Sequence, residues 1–245
     1  MKDDLGDRMK KYENVTRHFL PCRTYTILRL DGKAFHTYTK GLKKPFDADL
    51  SNDIDDSVKT LLKEVQGAKF AYCQSDEISI LMTDVENINS QTWFDGNIQK
   101  ICSVSSSVLT AQFNARRVIR ECINYSELTK TISLANFDCR VFTVPDRIEV
   151  MNYFRWRNQD CRRNSISMVA YSLFSHKELQ GKNSLEKIQM IWNKTGKTYE
   201  EGYSDSERYG RFIYKNENGF FVDSAWDFSN DGDRLLKYIP EYKYE

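Results

Sequence analysis

Two short segments hold the residue types that could do chemistry. In LRLDGKAFHTYTKGLKKPFD, residues 28–47, the carboxylate Asp31 is followed at once by Gly32 and then by the cations Lys33, Lys40, Lys43 and Lys44. In FAYCQSDEISILM, residues 70–82, the carboxylates Asp76 and Glu77 stand side by side after Ser75. Carboxylates brought close together repel at a cost that water does not remove, and a divalent cation between them resolves it. Hard oxygen ligands without histidine or thiolate favour Mg²⁺, which keeps several waters and completes its shell with phosphates. Two such ions can clamp both the attacking and the leaving oxygen of a phosphoryl displacement. Gly32 lets the backbone approach a ligand closely, and the N–H groups and lysines after it offer a cradle for a triphosphate. Each segment alone also has a plain reading: a tight turn, a solvated hairpin tip, a lysine-rich surface loop. The choice depends on whether the fold brings them together.

The flanking elements predict that it does. A polar helix is expected over about 3–17, then a β-rich run TYTILRL over 24–30 that stops at Asp31-Gly32. Leu50, Ile54, Val58, Leu61, Leu62 and Val65 recur at helical spacing within 48–66. Phe70, Tyr72, Ile78, Ile80 and Met82 fall on alternate positions, predicting a hairpin with one buried face and Ser75 to Glu77 as its polar turn. A helix is expected over 97–123, a strand over 139–144 closed by Pro145, and a further helix running with a break to about 179. Strand, helix, strand-turn-strand, helix, strand is the split βαβ order of an α+β, ferredoxin-like fold. A right-handed crossover makes the first two strands parallel, so the end of the first and the turn after the second emerge at one edge. Asp31, Asp76 and Glu77 are therefore expected to converge. Beyond 180 a helix and loop precede RYGRFIYKNENGFFVDSAW, residues 208–226, which reads as a hairpin with an Asn-Gly turn signal. This divides the chain into a palm-like catalytic part, 1–179, and a C-terminal appendage, 180–245.

Bulk properties narrow the class. A chain of 245 residues can bury a core without staples, and 40% hydrophobic with 29% charged residues excludes wholesale disorder. Lys plus Arg (36) nearly cancels Asp plus Glu (35), so a nucleic-acid partner would have to use local basic patches. Six scattered cysteines with no CxxC pair argue against a zinc ribbon or disulfide scaffold and suit a reducing cytoplasm. Three scattered histidines make no metal site, the N-terminus lacks an apolar signal region, and no run is long enough to span a membrane.

LRLDGKAFHTYTK, KKPFD, YCQSDEISI, FDCRVFTVP and YFRWRNQDCRRNSI, in this order and spacing, resemble the tRNA-His guanylyltransferase superfamily over about residues 20–175. The resemblance implies a polymerase-like palm that extends RNA at its 5′ end, in the 3′-to-5′ direction, with two Mg²⁺ ions and with ATP and GTP as substrates. It implies that Asp31 and Asp76 are metal ligands, joined by the Gly32 carbonyl, and that Glu77 is a third acidic residue needed for activity. Asp31, Gly32, Lys33, Ala34, Phe35 and His36, with Ser75 and Asp76, match the segments holding the incoming triphosphate; Arg29 and Lys44 match basic positions near its phosphates. A 5′-monophosphate is first adenylylated by ATP, and the 3′-hydroxyl of the incoming nucleotide then attacks. An RNA carrying a 5′-triphosphate can skip activation. The small C-terminal part is implied to grip tRNA and help form a homotetramer.

One departure guides the choice within the family. Members that add the extra guanosine to tRNA-His carry a His-Ile-Asn-Asn-type segment where this chain has Arg162, Arg163, Asn164 and Ser165. That favours the bacterial and archaeal like-branch, which repairs 5′-truncated tRNA by templated addition, over a dedicated tRNA-His enzyme. Arg157, Arg162, Arg163 and Asn164 are expected at an RNA surface, with Arg155, Trp156 and Tyr153 supplying stacking and charge; the plain alternative is a partly exposed helix with routine salt bridges. Arg116, Arg117 and Arg120 form a second candidate patch, and Lys187, Lys194, Lys197, Arg208 and Arg211 a third. A nucleotidyl cyclase or dinucleotide synthase shares the carboxylate positions but would need no RNA-gripping surface. A non-catalytic RNA binder is disfavoured by the intact Asp31, Asp76 and Glu77.

Overall fold

The computed structural model describes residues 3–124 and 133–242. Helix α1 (Asp4–Asn14) leads into strand β1 (Tyr25–Gly32), a single-turn helix α2 (Phe35–Tyr38) and α3 (Ala48–Glu64). Strands β2 (Ala68–Gln74) and β3 (Glu77–Thr83) follow, then α4 (Ile98–Asn124), β4 (Phe137–Val144) and α5 (Arg147–Leu173). The remainder is α6 (His176–Leu179), α7 (Ser184–Thr195), α8 (Tyr199–Gly202), α9 (Asp205–Tyr209), β5 (Arg211–Asn216), β6 (Gly219–Ser224) and α10 (Gly232–Leu236). Local signals account for the ends. Asp47 caps α3 by accepting from Leu50 N at 2.8 Å, and Asp146, just after Pro145, caps α5 by accepting from Glu149 N at 2.9 Å.

The six strands form one antiparallel sheet in the order β4-β1-β3-β2-β5-β6. Both β1 and β2 run antiparallel to β3 between them, so they are parallel to each other, as the split βαβ order requires. The C-terminal hairpin is continuous with this sheet, because β5 pairs with β2 from Phe70↔Tyr214 to Cys73↔Arg211.

The hairpin departs from the sequence expectation in one respect. Gln74 pairs directly with Glu77, leaving Ser75 and Asp76 as a two-residue turn with Ser75 at φ 50°. That register places even-numbered residues of β2 opposite odd-numbered residues of β3. Phe70 and Tyr72 therefore share a face with Leu81, whereas Ile78, Ile80 and Met82 join Ala71 and Cys73 on the other. The two runs do not form one apolar face. Both faces are covered: α3 and α4 pack Leu50, Ile54, Leu61, Ile101 and Phe113 on one side, and α5 with α10 packs Val150, Phe154 and Leu235 on the other. Every residue of β3 is consequently buried.

The arginines expected as a second RNA patch are consumed in the fold. Arg117 reaches Asp53 at 3.1 Å, Arg120 reaches Asp53 at 2.6 Å and Asp49 at 3.0 Å, and Arg116 reaches Asp56 at 3.3 Å. Charges on α4 thus meet those on α3, tying together the helices that carry the crossover. Arg211 of β5 is likewise withdrawn from RNA, buried against Asp55 at 2.6 Å. Burial raises the Asp55 carboxyl even with Arg211 beside it, which makes this pair a costly one to assemble.

Candidate active site

The loop after β1 is held from three directions. Lys33 N donates to Asn136 O at 2.8 Å, and the chain beside Asn136 is fixed to α4 by paired bonds between Asn114 and Ala135, both 2.9 Å. Phe35 is the aromatic anchor of the loop, its buried ring lying 4.9 Å from Tyr38, 5.4 Å from Phe137 and 5.8 Å from Phe113. Thr37 sets its hydroxyl 3.1 Å from His36 Nε2. Ala34 adopts the left-handed conformation (φ 53°, ψ 39°) and turns the chain into α2, where Thr37 and Tyr38 N–H both donate to Ala34 O, at 2.9 and 3.3 Å, and only Phe35 and His36 N–H precede the first intrahelical bond. The cradle expected from the sequence is smaller than its run of N–H groups suggests, since Lys33 N–H is spent on Asn136 and those of Thr37 and Tyr38 on Ala34.

The β2–β3 turn meets this loop. A Cβ added at Gly32 would stand 2.8 Å from Asp76 Oδ2 and collide with the Phe35 ring, so Asp76 sits directly against the glycine. Burial pushes the Asp76 carboxyl up to about 6; the nearby charges of Asp31 and Glu77 add to this, while its own backbone N–H and the Ser75 hydroxyl oppose it. Glu77 is engaged differently. It is buried, takes Arg157 Nε at 2.6 Å and Nη2 at 2.7 Å, and pairs with Arg29 as well. The third carboxylate of the expected cluster is therefore neutralised by two guanidinium groups, while Asp31 and Asp76 are left facing each other's charge.

These groups line a cavity of about 1090 Å³. Arg29, Asp31, His36, Lys44, Ser75 and Asp76 all contribute to its wall. Three polar atoms of wall residues lack partners among the described residues, Gln74 Oε1, Arg29 Nε and Arg211 Nη2. Arg157 is only 4% exposed and also reaches Asp160 at 2.8 Å, so it is a wall residue rather than an open contact for RNA, correcting the expectation from sequence. Arg162 and Arg163 remain on the surface, paired with Glu200 at 3.3 Å and Asp160 at 2.9 Å, and Asn164 lines the cavity.

Residues 6–145 match the family model described as tRNAHis guanylyltransferase. The chain belongs to that family. It is thereby a nucleotidyltransferase. It is similar to a solved bacterial tRNA(His) guanylyltransferase-like protein in complex with ATP, at 42% identity and a TM-score of 0.87, covering 96% of this chain and 99% of that one. A bacterial tRNA(His) guanylyltransferase-like protein in complex with GTP matches at 39% identity and a TM-score of 0.79, with the same coverage. The tRNA(His) guanylyltransferase of Schizosaccharomyces pombe is 26% identical over 78% of this chain and 73% of its own length.

The family motifs account for the loop and the turn but not for the far wall of the cavity. Ser204, Ser206, Glu207 and Arg211 reach it from α9 and β5. No motif in the sequence marks them; they arrive because β5 pairs with β2. Lys187, grouped with the third RNA patch, is half-buried and donates to Ser167 Oγ at 3.1 Å. A prediction arises at the glycine of the family's Asp-Gly pair. Gly32→Ala should cut nucleotide addition by about a hundredfold, because its Cβ displaces either Phe35 or Asp76. Steady-state assay of the variant beside its circular dichroism spectrum checks this; near-normal turnover would mean that Asp76 can move without loss.

Proposed function

We propose that this chain adds nucleotides to the 5′ end of tRNA in the 3′-to-5′ direction, choosing each by pairing with the template base, and so repairs truncated tRNA. The observation that carries this reading is the meeting of Asp31 and Asp76 at Gly32 on the wall of a cavity large enough for a nucleotide. Among the described residues no three His, Cys, Asp or Glu side chains gather at metal-holding distance. The donor set is two carboxylates and a glycine carbonyl, which suits Mg²⁺ that retains waters and takes its remaining ligands from phosphates. Held by Asp31, Asp76 and the Gly32 carbonyl, Mg²⁺ would offset the charge that builds on the reacting phosphoryl group. Lys44 and the N–H groups of Phe35 and His36 hold the triphosphate of ATP or GTP, with Lys33 and the His36 side chain beside it and Ser75 supporting Asp76. Arg29 and Arg157 hold Glu77 in place.

Further roles follow from position. Asn164 lines the cavity and Arg162 and Arg163 precede it on the surface of α5, and we assign this stretch to contact with the RNA acceptor end. The division into a catalytic part (1–179) and an appendage (180–245) is functional rather than spatial, because β5 and β6 complete the palm's sheet. A homotetramer would cover Leu5, Met9 and Tyr12 on α1, a helix with no buried residue; light scattering after size exclusion checks the mass. Among the described residues no helix is long and apolar enough to cross a membrane, and we place the reaction in the cytoplasm, which cell fractionation tests.

The name of the fission-yeast relative favours a second reading, addition of the extra G to tRNA-His. The two are separated by labelled substrates, a tRNA lacking its first 5′ nucleotide and a full-length tRNA-His, each given Mg²⁺, ATP and one nucleoside triphosphate at a time. Growth of the truncated tRNA only with the complementary nucleotide is expected. Preferential G addition to full-length tRNA-His, whatever base it faces, would replace repair with the second reading.

A further inference from the structure

An exposed indole stands on the cavity wall beside the carboxylates. Trp156 is 48% exposed and lines the cavity, although its neighbours Tyr153 and Arg157 in α5 are buried. Its ring is held on one side by the Arg157 guanidinium, 4.4 Å from the centroid, and meets Tyr153 at 5.9 Å and 66°. The Arg29 guanidinium lies 5.9 Å away. Both arginines bind Glu77, the residue next to Asp76. The indole is thus fixed, through one buried carboxylate, relative to the place where Asp31 and Asp76 meet. These contacts hold the ring but leave about half of it open to water, and a rigid aromatic surface on the same wall as phosphate-binding groups is what a nucleobase needs.

We propose that the open part of Trp156 stacks on the base of the incoming nucleoside triphosphate. The inference rests on the nucleotidyl-transfer reading above and adds a binding residue to it. It also gives a physical reason for template control. Stacking provides affinity without reading base identity, since every base has a π face, so the choice among nucleotides is left to pairing with the RNA. The cations at Arg157 and Arg29 orient the ring and keep it from collapsing into the cavity.

The test compares GTP, UTP and ribose 5-triphosphate, which lacks a base, binding to the full-length protein with Mg²⁺ and no RNA, followed by calorimetry. Wild type should bind ribose 5-triphosphate more weakly than GTP. Trp156→Leu should weaken GTP and UTP by about 5- to 150-fold and leave ribose 5-triphosphate unchanged. Trp156→Phe should recover much of the loss, which a simple packing defect would not allow. Equal weakening of all three ligands by Trp156→Leu would overturn the stacking role, as would no weakening of any. A variant that binds nucleotides normally but has a raised KM for RNA would also overturn it, assigning the indole to the RNA end. If wild type binds none of the three, the nucleotidyl-transfer reading fails and the stacking role with it.

Discussion

Asp76→Asn should abolish nucleotide addition and, at the same time, make the cation-free protein more stable at neutral pH. The loss of activity follows from removing half of the carboxylate pair: several kcal/mol of charge stabilisation corresponds to a fall of about a thousandfold or more. The gain in stability follows from burial. The Asp76 carboxyl is pushed from 3.8 to about 6, so keeping it ionised in the folded chain costs up to about 3 kcal/mol. The sign is that of a raised acid. Between about pH 4 and 6 the folded state holds a proton that the unfolded state has lost, so stability falls as pH rises through that window and is level above it. The amide of the variant carries no charge and removes this dependence. Urea denaturation in chelator at pH 4 and pH 7 should show wild type losing stability across the interval and the variant losing less. Addition activity within tenfold of wild type, or identical pH profiles, would remove Asp76 from the centre of the site.

Arg157→Met should be strongly destabilising. Glu77 is buried and bound by two nitrogens of Arg157, and removing that partner leaves a buried charge only partly compensated by Arg29. Breaking such a pair typically costs about 3–5 kcal/mol, and retention of Arg29 sets the expectation near the lower figure. Asp160 would also lose its 2.8 Å contact. Pairing the change with Glu77→Gln should recover part of the loss, because the buried charge is then gone. Equilibrium unfolding of the two variants checks this. A cost below about 1 kcal/mol for Arg157→Met would mean that Arg29 and solvent suffice to compensate Glu77 in the folded chain.

Local pattern makes much of this legible. The strand ending at Asp31-Gly32, the amphipathic helix over 48–66 and the polar turn around Ser75-Asp76 are each written in a few adjacent residues, and the split βαβ order then follows from right-handed crossovers. The convergence of Asp31 with the β2–β3 turn is a consequence of that order alone. Where sequence and structure part, the cause is register or pairing across distance. Alternation is visible in both Phe70-Tyr72 and Ile78-Met82, but a two-residue turn sets the strands in opposite phase, and a second layer of helices then hides either face.

Charge shows the same division most plainly. The sequence determines where each arginine and carboxylate lies along the chain, and so which helix or strand carries it. It cannot say which of them meet. Arg117 and Arg120 found Asp53 on α3, Arg211 found Asp55, and Arg157 found Glu77, separated by 64, 67, 156 and 80 residues. Each pairing removed a basic group from a surface where RNA contact was expected. The sequence by itself determined the palm, its carboxylates and its glycine, because these depend on neighbours and on handed connections. Only the tertiary structure decided which charges remain free, because an ion pair depends on distances in space that sequence separation does not encode.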